Sequence, residues 1–284
     1  MLGSCGLQGS LQMRPGVDEA ESWALSALTT LASSIIMIGE IHGSHEIPRA
    51  VRILASAALS LGRGVAIGLE MEVSEQAALE SQTDVSSLLL GKHWRFEDGR
   101  ASAAILDLVR FAQTHERCHL FCFDSAVPAP RGSPAHSRAM ARAATPHVRQ
   151  ALEIDEVVLL LAGSAHCRTQ RGATTLGTQL KQQFPSMMSL VACWPANSRV
   201  FSYDATDVRM PYGVRSVPAT GPVAHGGGAR VRLGGREGFD GRLEICMALS
   251  PSLPARRVHG VASTGGRPAE SMGKNPCALT CTIL

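Results

Sequence analysis

Glu40 and His42 stand two residues apart in Gly39-Glu40-Ile41-His42-Gly43, directly after an apolar run. Glu70 follows a second such run, Asp124 a third, and His166 closes Gly163-Ser164-Ala165-His166 after a fourth. Brought together, three carboxylates and two imidazoles could do general acid–base work, hold a water or ligate a metal. Glu40, Glu70 and His166 each follow wholly apolar chain, where an unpaired buried charge would cost on the order of several kcal/mol. That argues for function ahead of packing at these three positions. Asp124 has two readings, a site residue or a cap for the next helix. His45 could share a metal with His42, and Glu46 reads as an acidic cap residue at a helix start.

The runs that precede these residues are Ser34–Ile38, Val65–Leu69, His119–Phe123, Val157–Leu161 and Met188–Cys193. Each is strand-length and apolar at successive positions, the pattern of strands buried on both faces, as in a parallel sheet. Helical spacing fills the intervals at Ile47–Leu61, Ala101–Gln113, Met140–Leu152 and Thr175–Phe184, with a short helix at Ser74–Ser81. Strand alternating with helix predicts an α/β fold, a mostly parallel central sheet flanked by helices. In such a sheet the strand C-termini share one edge, so residues far apart in sequence meet in one crevice. Asp124 is expected at its rim or just behind it, orienting an imidazole.

The expected organisation is an N-terminal segment over 1–28 and an α/β domain carrying the site over 29–200. A weakly structured extension over 201–250 follows, with a last strand at Leu243–Leu249, and then a Gly/Pro-rich disordered tail over 251–284. The chain of 284 residues is 45% hydrophobic, enough for a core, but only 4% aromatic, so that core must be aliphatic. A net charge of +3 with scattered basic residues argues against nucleic acid as a partner. Nothing reads as a signal peptide or a membrane span, and the cysteines sit in apolar surroundings with no C-x-x-C pair. The expectation is a cytoplasmic protein acting on a small-molecule or peptide substrate, with at most a second copy of itself as a partner. Cys281-Thr282-Ile283-Leu284 formally fits a prenylation box, but Thr282 is a poor aliphatic and no polybasic stretch precedes it. No nucleophile elbow, phosphate loop or dinucleotide fingerprint is present.

Taken in order, Gly39-Glu40-Ile41-His42-Gly43, Gly68-Leu69-Glu70-Met71 and Gly163-Ser164-Ala165-His166 resemble the Tiki/ChaN-like and erythromycin-esterase-like superfamily. Phe123-Asp124 and the Trp94–Ser102 stretch, with Asp98-Gly99-Arg100, look like one branch of it. The resemblance covers roughly residues 30–200. The family commonly has Asn where Ser164 stands, and an Arg-Asp pair where His136 and Ser137 precede Met140-Ala141. Arg138 or Arg142 would then have to supply the contact made by that arginine. Family members include metal-dependent proteases, macrolide-opening esterases and haem-binding uptake proteins. The resemblance implies an active-site set of Glu40, His42, Glu70 and His166, with Asp124 beside it. A divalent metal, if one is used, would rest on His42, Glu70 and His166. It implies a hydrolase in which Glu70 or His42 is the base and His166 a ligand or electrophile. The alternative is a haem- or iron-binding protein without hydrolytic activity. Haem needs an axial ligand beside a roomy apolar pocket, and the only tyrosines, Tyr203 and Tyr212, lie outside the main domain.

Overall fold

The computed structural model describes residues 19–260, apart from 82–83, 126–128, 171, 204–211, 221–228 and 235–237. The Cys281 box, the first 18 residues and the chain from 261 onward lie outside the described residues. The chain runs α1 (Glu19–Leu31), β1 (Ile35–Glu40), α2 (Glu46–Ser60), β2 (Val65–Glu72), α3 (Gln76–Glu80), α4 (Val85–Leu89), α5 (Ala103–Gln113) and β3 (Cys118–Asp124). It continues through α6 (Pro134–Glu153), β4 (Val157–Gly163), α7 (Ser164–Cys167), α8 (Leu176–Gln183) and β5 (Met188–Cys193). Then come β6 (Arg199–Tyr203), β7 (Tyr212–Ser216), β8 (Ala229–Leu233), β9 (Gly241–Ile245) and α9 (Ala255–Val258).

Seven strands form the central sheet in the order β3-β2-β4-β1-β5-β9-β8, and β6 and β7 make a separate antiparallel ribbon. All pairings from β3 across to β9 are parallel, and β8 alone runs antiparallel at the edge. This is the predicted α/β fold, and both faces of the sheet are covered. Successive side chains of a strand point to opposite faces, and the apolar runs feed both. Ile36, Ile38, Ile67 and Leu159 face a core built with α1, α2 and α5. Ile35, Met37, Phe121 and Leu160 face a second core built with α6 and α8. Burying each of these side chains contributes roughly 1.5–3 kcal/mol, and that is what holds the strand ends in register.

Chain order explains the crevice. From β1 the chain moves outward to β2 and β3, then returns to lay β4 in the gap between β1 and β2. The C-terminal ends of β3, β2, β4 and β1 therefore stand side by side along one edge.

Three expectations need correction. The expected last strand is present but begins and ends earlier, at Gly241–Ile245 rather than Leu243–Leu249, and an unexpected strand, β8, pairs beside it at the edge of the sheet. A helix, α1, lies largely inside the segment expected to precede the domain. Residues 251–260 are not a free tail either. Pro251 and Pro254 bridge to Ser44 and Ser102, and Ser252 and Ala255 are fully buried. Backbone hydrogen bonds, to which composition is blind, hold this stretch.

Candidate functional site

Glu40 is the last residue of β1, and His42 sits two residues on in the turn leading to α2. The His42 Nδ1–H donates to Glu40 Oε1 at 2.9 Å, which turns Nε2 toward Glu70 Oε2, 3.9 Å away. Glu70 lies in β2, where the ladder with β3 shifts register between Leu69 and Glu72. Its Oε2 accepts the Gly163 N–H at 2.8 Å, which ties the end of β2 to the end of β4. His166 rides on the single turn α7, which begins as β4 ends, and its Nε2 stands 3.8 Å from Glu70 Oε1. Any side chain at Gly163 would crowd this meeting point, since a Cβ would lie 3.2 Å from His42 Nε2 and 3.5 Å from Glu70 Oε2.

Glu40, His42, Glu70 and His166 thus meet at one edge. His42 and His166 keep 20% and 14% of their side chains exposed, and Glu70 keeps 6%. Asp124 is buried behind them, as a partner of His136: His136 Nε2 meets its Oδ1 at 2.8 Å. Because the Gly132 N–H donates to His136 Nδ1, Nε2 is the protonated nitrogen that donates to Asp124. The His136 ring packs edge-on against His166, with centroids 5.7 Å apart. Asp124 orients an imidazole as expected, but that imidazole is His136. The cap reading fails, because Ser133 caps α6 and Asp124 bonds elsewhere. His45 is the exposed residue just before α2, outside the cluster. Glu46 does not cap that helix: its carboxylate accepts from the backbone and hydroxyl of Ser250.

Two cations at the site were not assigned roles from sequence. Arg100 donates through Nε to both oxygens of Asp98, at 2.8 and 3.0 Å, and its Nη1 lies 3.6 Å from Glu70 Oε1 and 3.9 Å from Asp124 Oδ2. Arg131 Nη2 is 3.5 Å from Asp124 Oδ2, and both guanidinium groups lie over the Phe96 ring. Arg138 and Arg142 are exposed on α6. The Asp98-Gly99-Arg100 turn was visible in the sequence, but only tertiary packing shows that it delivers a guanidinium to Glu70. His136 stood out only as a departure from a family pattern.

These charges set the proton affinities. Burial lowers that of His42, yet the hydrogen bond and charge of Glu40, with the charge of Glu70, raise it to about 9. Burial works against ionised Glu70, but His42, His166, Arg100 and the Gly163 N–H hold it at about 2. His166 moves the other way: burial lowers its affinity, and the charge of Glu70 only partly opposes this. One imidazole is therefore a cation at neutral pH and its neighbour a free base.

The expected metal set His42, Glu70 and His166 is brought together, with the imidazole nitrogens 3.8 to 3.9 Å from the Glu70 oxygens. One oxygen of Glu70 already accepts from Gly163, and Arg100 faces the other. A fixed guanidinium supplies positive charge where a metal would, and repels one. Among the described residues no group of three or more His, Cys, Asp or Glu side chains is placed to hold a metal ion. Among them, too, no helix is long and apolar enough to cross a membrane.

No family model and no curated protein matches the chain. Solved structures do. A His-to-Asn variant of the erythromycin esterase EreC in its open conformation superposes over 79% of this chain and 93% of its own, at 11% identity and a TM-score of 0.51. A Bacillus cereus protein superposes over 83% and 98%, at 9% identity and a TM-score of 0.50. ChaN of Campylobacter jejuni with cofacial haem covers 60% and 85%, at 15% identity, but its TM-score of 0.32 is too loose to carry an inference to haem. What this chain shares with EreC and the Bacillus cereus protein is the α/β fold that the sequence motifs foretold.

Proposed function

We propose that the chain is a hydrolase that opens an ester or lactone of a small-molecule substrate, with His166 as general base and His42 as electrophile. The observation behind this is a pair of imidazoles flanking one carboxylate with proton affinities pushed apart, the usual mark of divided acid and base roles. His166 Nε2 takes a proton from the attacking water, and the ionised Glu70 beside it stabilises the imidazolium that forms. A positioned base of this kind contributes about 10²- to 10⁴-fold. His42, kept charged by Glu40, offers its Nε2–H to the oxyanion developing on the acyl carbon. Arg100 Nη1, a buried donor that makes no hydrogen bond, is available for the same oxygen. Collapse of the tetrahedral intermediate breaks the acyl–oxygen bond, and the leaving alkoxide takes back the proton held by His166.

This assignment exchanges the roles expected from the resemblance: Glu70, held at about 2, is too weak a base at neutral pH, and His42 is already protonated. Positive charge comes from His42 and Arg100, so the scheme needs no divalent metal. EreC, an erythromycin esterase by name, places ester cleavage on this fold, which supports the reaction class without specifying a substrate. The space bounded by Glu40, His42, Leu69, Glu70, Arg100 and Ile105 is ≈ 10 Å³, room for about one water, so the organic part of the substrate has to lie outside it, against the exposed edges of His42 and His166.

The test is hydrolysis of p-nitrophenyl esters and a macrolide lactone in EDTA, with wild type, His166→Asn and His42→Asn. Turnover that persists under chelation and falls at least about 100-fold in both variants is expected. A wild type that opens none of these bonds, or turns over only with added metal, would sink the proposal.

A further inference from the structure

Ser250–Ala255 crosses between the two loops that bring charge to Glu70. On one side the His45 N–H donates to Ser250 O at 3.1 Å and the Ser252 N–H to Gly43 O at 2.8 Å, which fastens the loop of His42. On the other side the Ala104 N–H donates to Ser252 Oγ at 3.0 Å. The Ala103 N–H donates to Leu253 O at 2.8 Å and the Ala255 N–H to Ala101 O at 3.0 Å, which fastens the chain just after Arg100. Arg257 extends the hold, with Nη2 donating to Glu97 Oε2 at 2.7 Å and its guanidinium 5.3 Å from the centre of the Phe201 ring. The Phe201 N–H in turn donates to Gly43 O, the carbonyl that Ser252 also uses.

Neither loop is fixed by a regular element of its own at these points. Residues 41–43 precede α2 and residues 97–101 precede α5; Gly43 O and Ala101 O each accept a strap N–H, and the strap also accepts from Ala103 and Ala104 at the start of α5. His42 and Arg100 stand on either side of Glu70, at 3.9 and 3.6 Å, so their spacing follows from how the strap joins the two loops. Ser252 bonds on both sides, through its N–H to Gly43 of the His42 loop and its hydroxyl to Ala104 in the first turn of α5, just after the Arg100 loop, and it is fully buried.

We propose that this strap is the positioning device of the site, and that Ser252 is the positioning residue that couples the His42 loop to the Arg100 loop. Its kinetic consequence rests on the hydrolase reading; its geometric consequence does not. Loss of the Ser252 hydroxyl frees the Ala104 N–H and lets the Arg100 loop move relative to Glu70. A shift of about 1 Å in such a group can lower turnover by roughly 100-fold.

The full chain is compared as wild type, Ser252→Ala, Arg257→Ala and Val148→Ala. The last lies in the α6 core on the opposite face and controls for lost stability. Two quantities are read: hydrogen exchange at the Arg100 Nε–H by nitrogen-15 NMR, and kcat and KM for p-nitrophenyl acetate. Both strap variants should speed the Arg100 exchange at least about 10-fold and lower kcat more than KM changes, as expected for a misplaced group. Val148→Ala should lower the melting temperature and leave both readings as in wild type. Wild-type exchange at Arg100 in both strap variants would overturn the proposal. If exchange responds while no form, wild type included, hydrolyses the ester, the strap stands and the hydrolase reading falls. Should Ser252→Ala fail to fold, the exposed Arg257→Ala decides alone.

Discussion

Glu40→Gln keeps the size of the side chain and removes its charge. In the wild type, burial lowers the proton affinity of His42, and the Glu40 hydrogen bond is the largest influence raising it, from 6.5 to about 9. That gap corresponds to about 3 kcal/mol of preference for the charged imidazole, net of the burial and the Arg100 charge that oppose it. Without Glu40, burial and Arg100 oppose the charge of Glu70 alone, and His42 should titrate at or below 6.5. The direct assay is nitrogen-15 NMR of the imidazoles across pH in wild type and Glu40→Gln. Stability follows by linkage. A group whose proton affinity rises on folding contributes fully below pH 6.5 and loses that contribution as pH rises through 9. The stability gap between wild type and variant, from urea unfolding, should therefore be widest below pH 6.5 and close toward pH 10. A wild-type His42 that titrates near 6.5, or a stability gap that ignores pH, would refute the reasoning.

Glu70 gives the opposite profile: held at about 2 against an ordinary 4.5, it stabilises the fold above pH 4.5 and loses that contribution as pH falls toward 2. Glu70→Gln should flatten this acid limb, by up to about 2 kcal/mol, in urea midpoints compared at pH 3 and pH 7. Removing His136 leaves Asp124 buried with only the more distant Arg100 and Arg131. His136→Leu should then cost about 3 kcal/mol, and Asp124→Leu added to it should recover part of the loss in chemical denaturation. Gly43 and Gly62 share a left-handed backbone, at φ +80° and +79°, but a Cβ at Gly43 would lie 1.8 Å from Phe201 O, while Gly62 faces open space. Gly62→Ala should lower the melting temperature by roughly 3–6 °C. Gly43→Ala should lower it several times further, and equal losses would show that the Phe201 contact is not rigid.

The α/β fold and the meeting of Glu40, Glu70 and His166 were legible because each follows an apolar run long enough to be a buried strand. Parallel pairing then puts all the ends on one edge. Arg100 and His136 were not legible as site residues. Each reaches the site from a loop or a helix start, where no periodicity marks its direction, and their partners Glu70 and Asp124 are distant in sequence. The strap at 250–255 was misread for a different reason. Pro, Ser and Leu in short order look like disorder when hydrophobic burial is the criterion, whereas main-chain hydrogen bonds to Gly43, Ala101 and Ala103 hold it. The donor types for a metal could be read from sequence; the Arg100 guanidinium that faces Glu70 among them could not.

The central claim, that His166 is the base and His42 the charged electrophile, is tested most directly by the pH dependence of kcat/KM for ester hydrolysis in EDTA. The account predicts a bell. Its acid limb lies below pH 6.5, where His166 becomes protonated, and its alkaline limb lies near 9, where His42 loses its proton. In Glu40→Gln the alkaline limb should move down by about 2 pH units or more while the acid limb stays in place. Activity that keeps rising through pH 9 to a plateau would mean that His42 acts as the base, and would contradict the account.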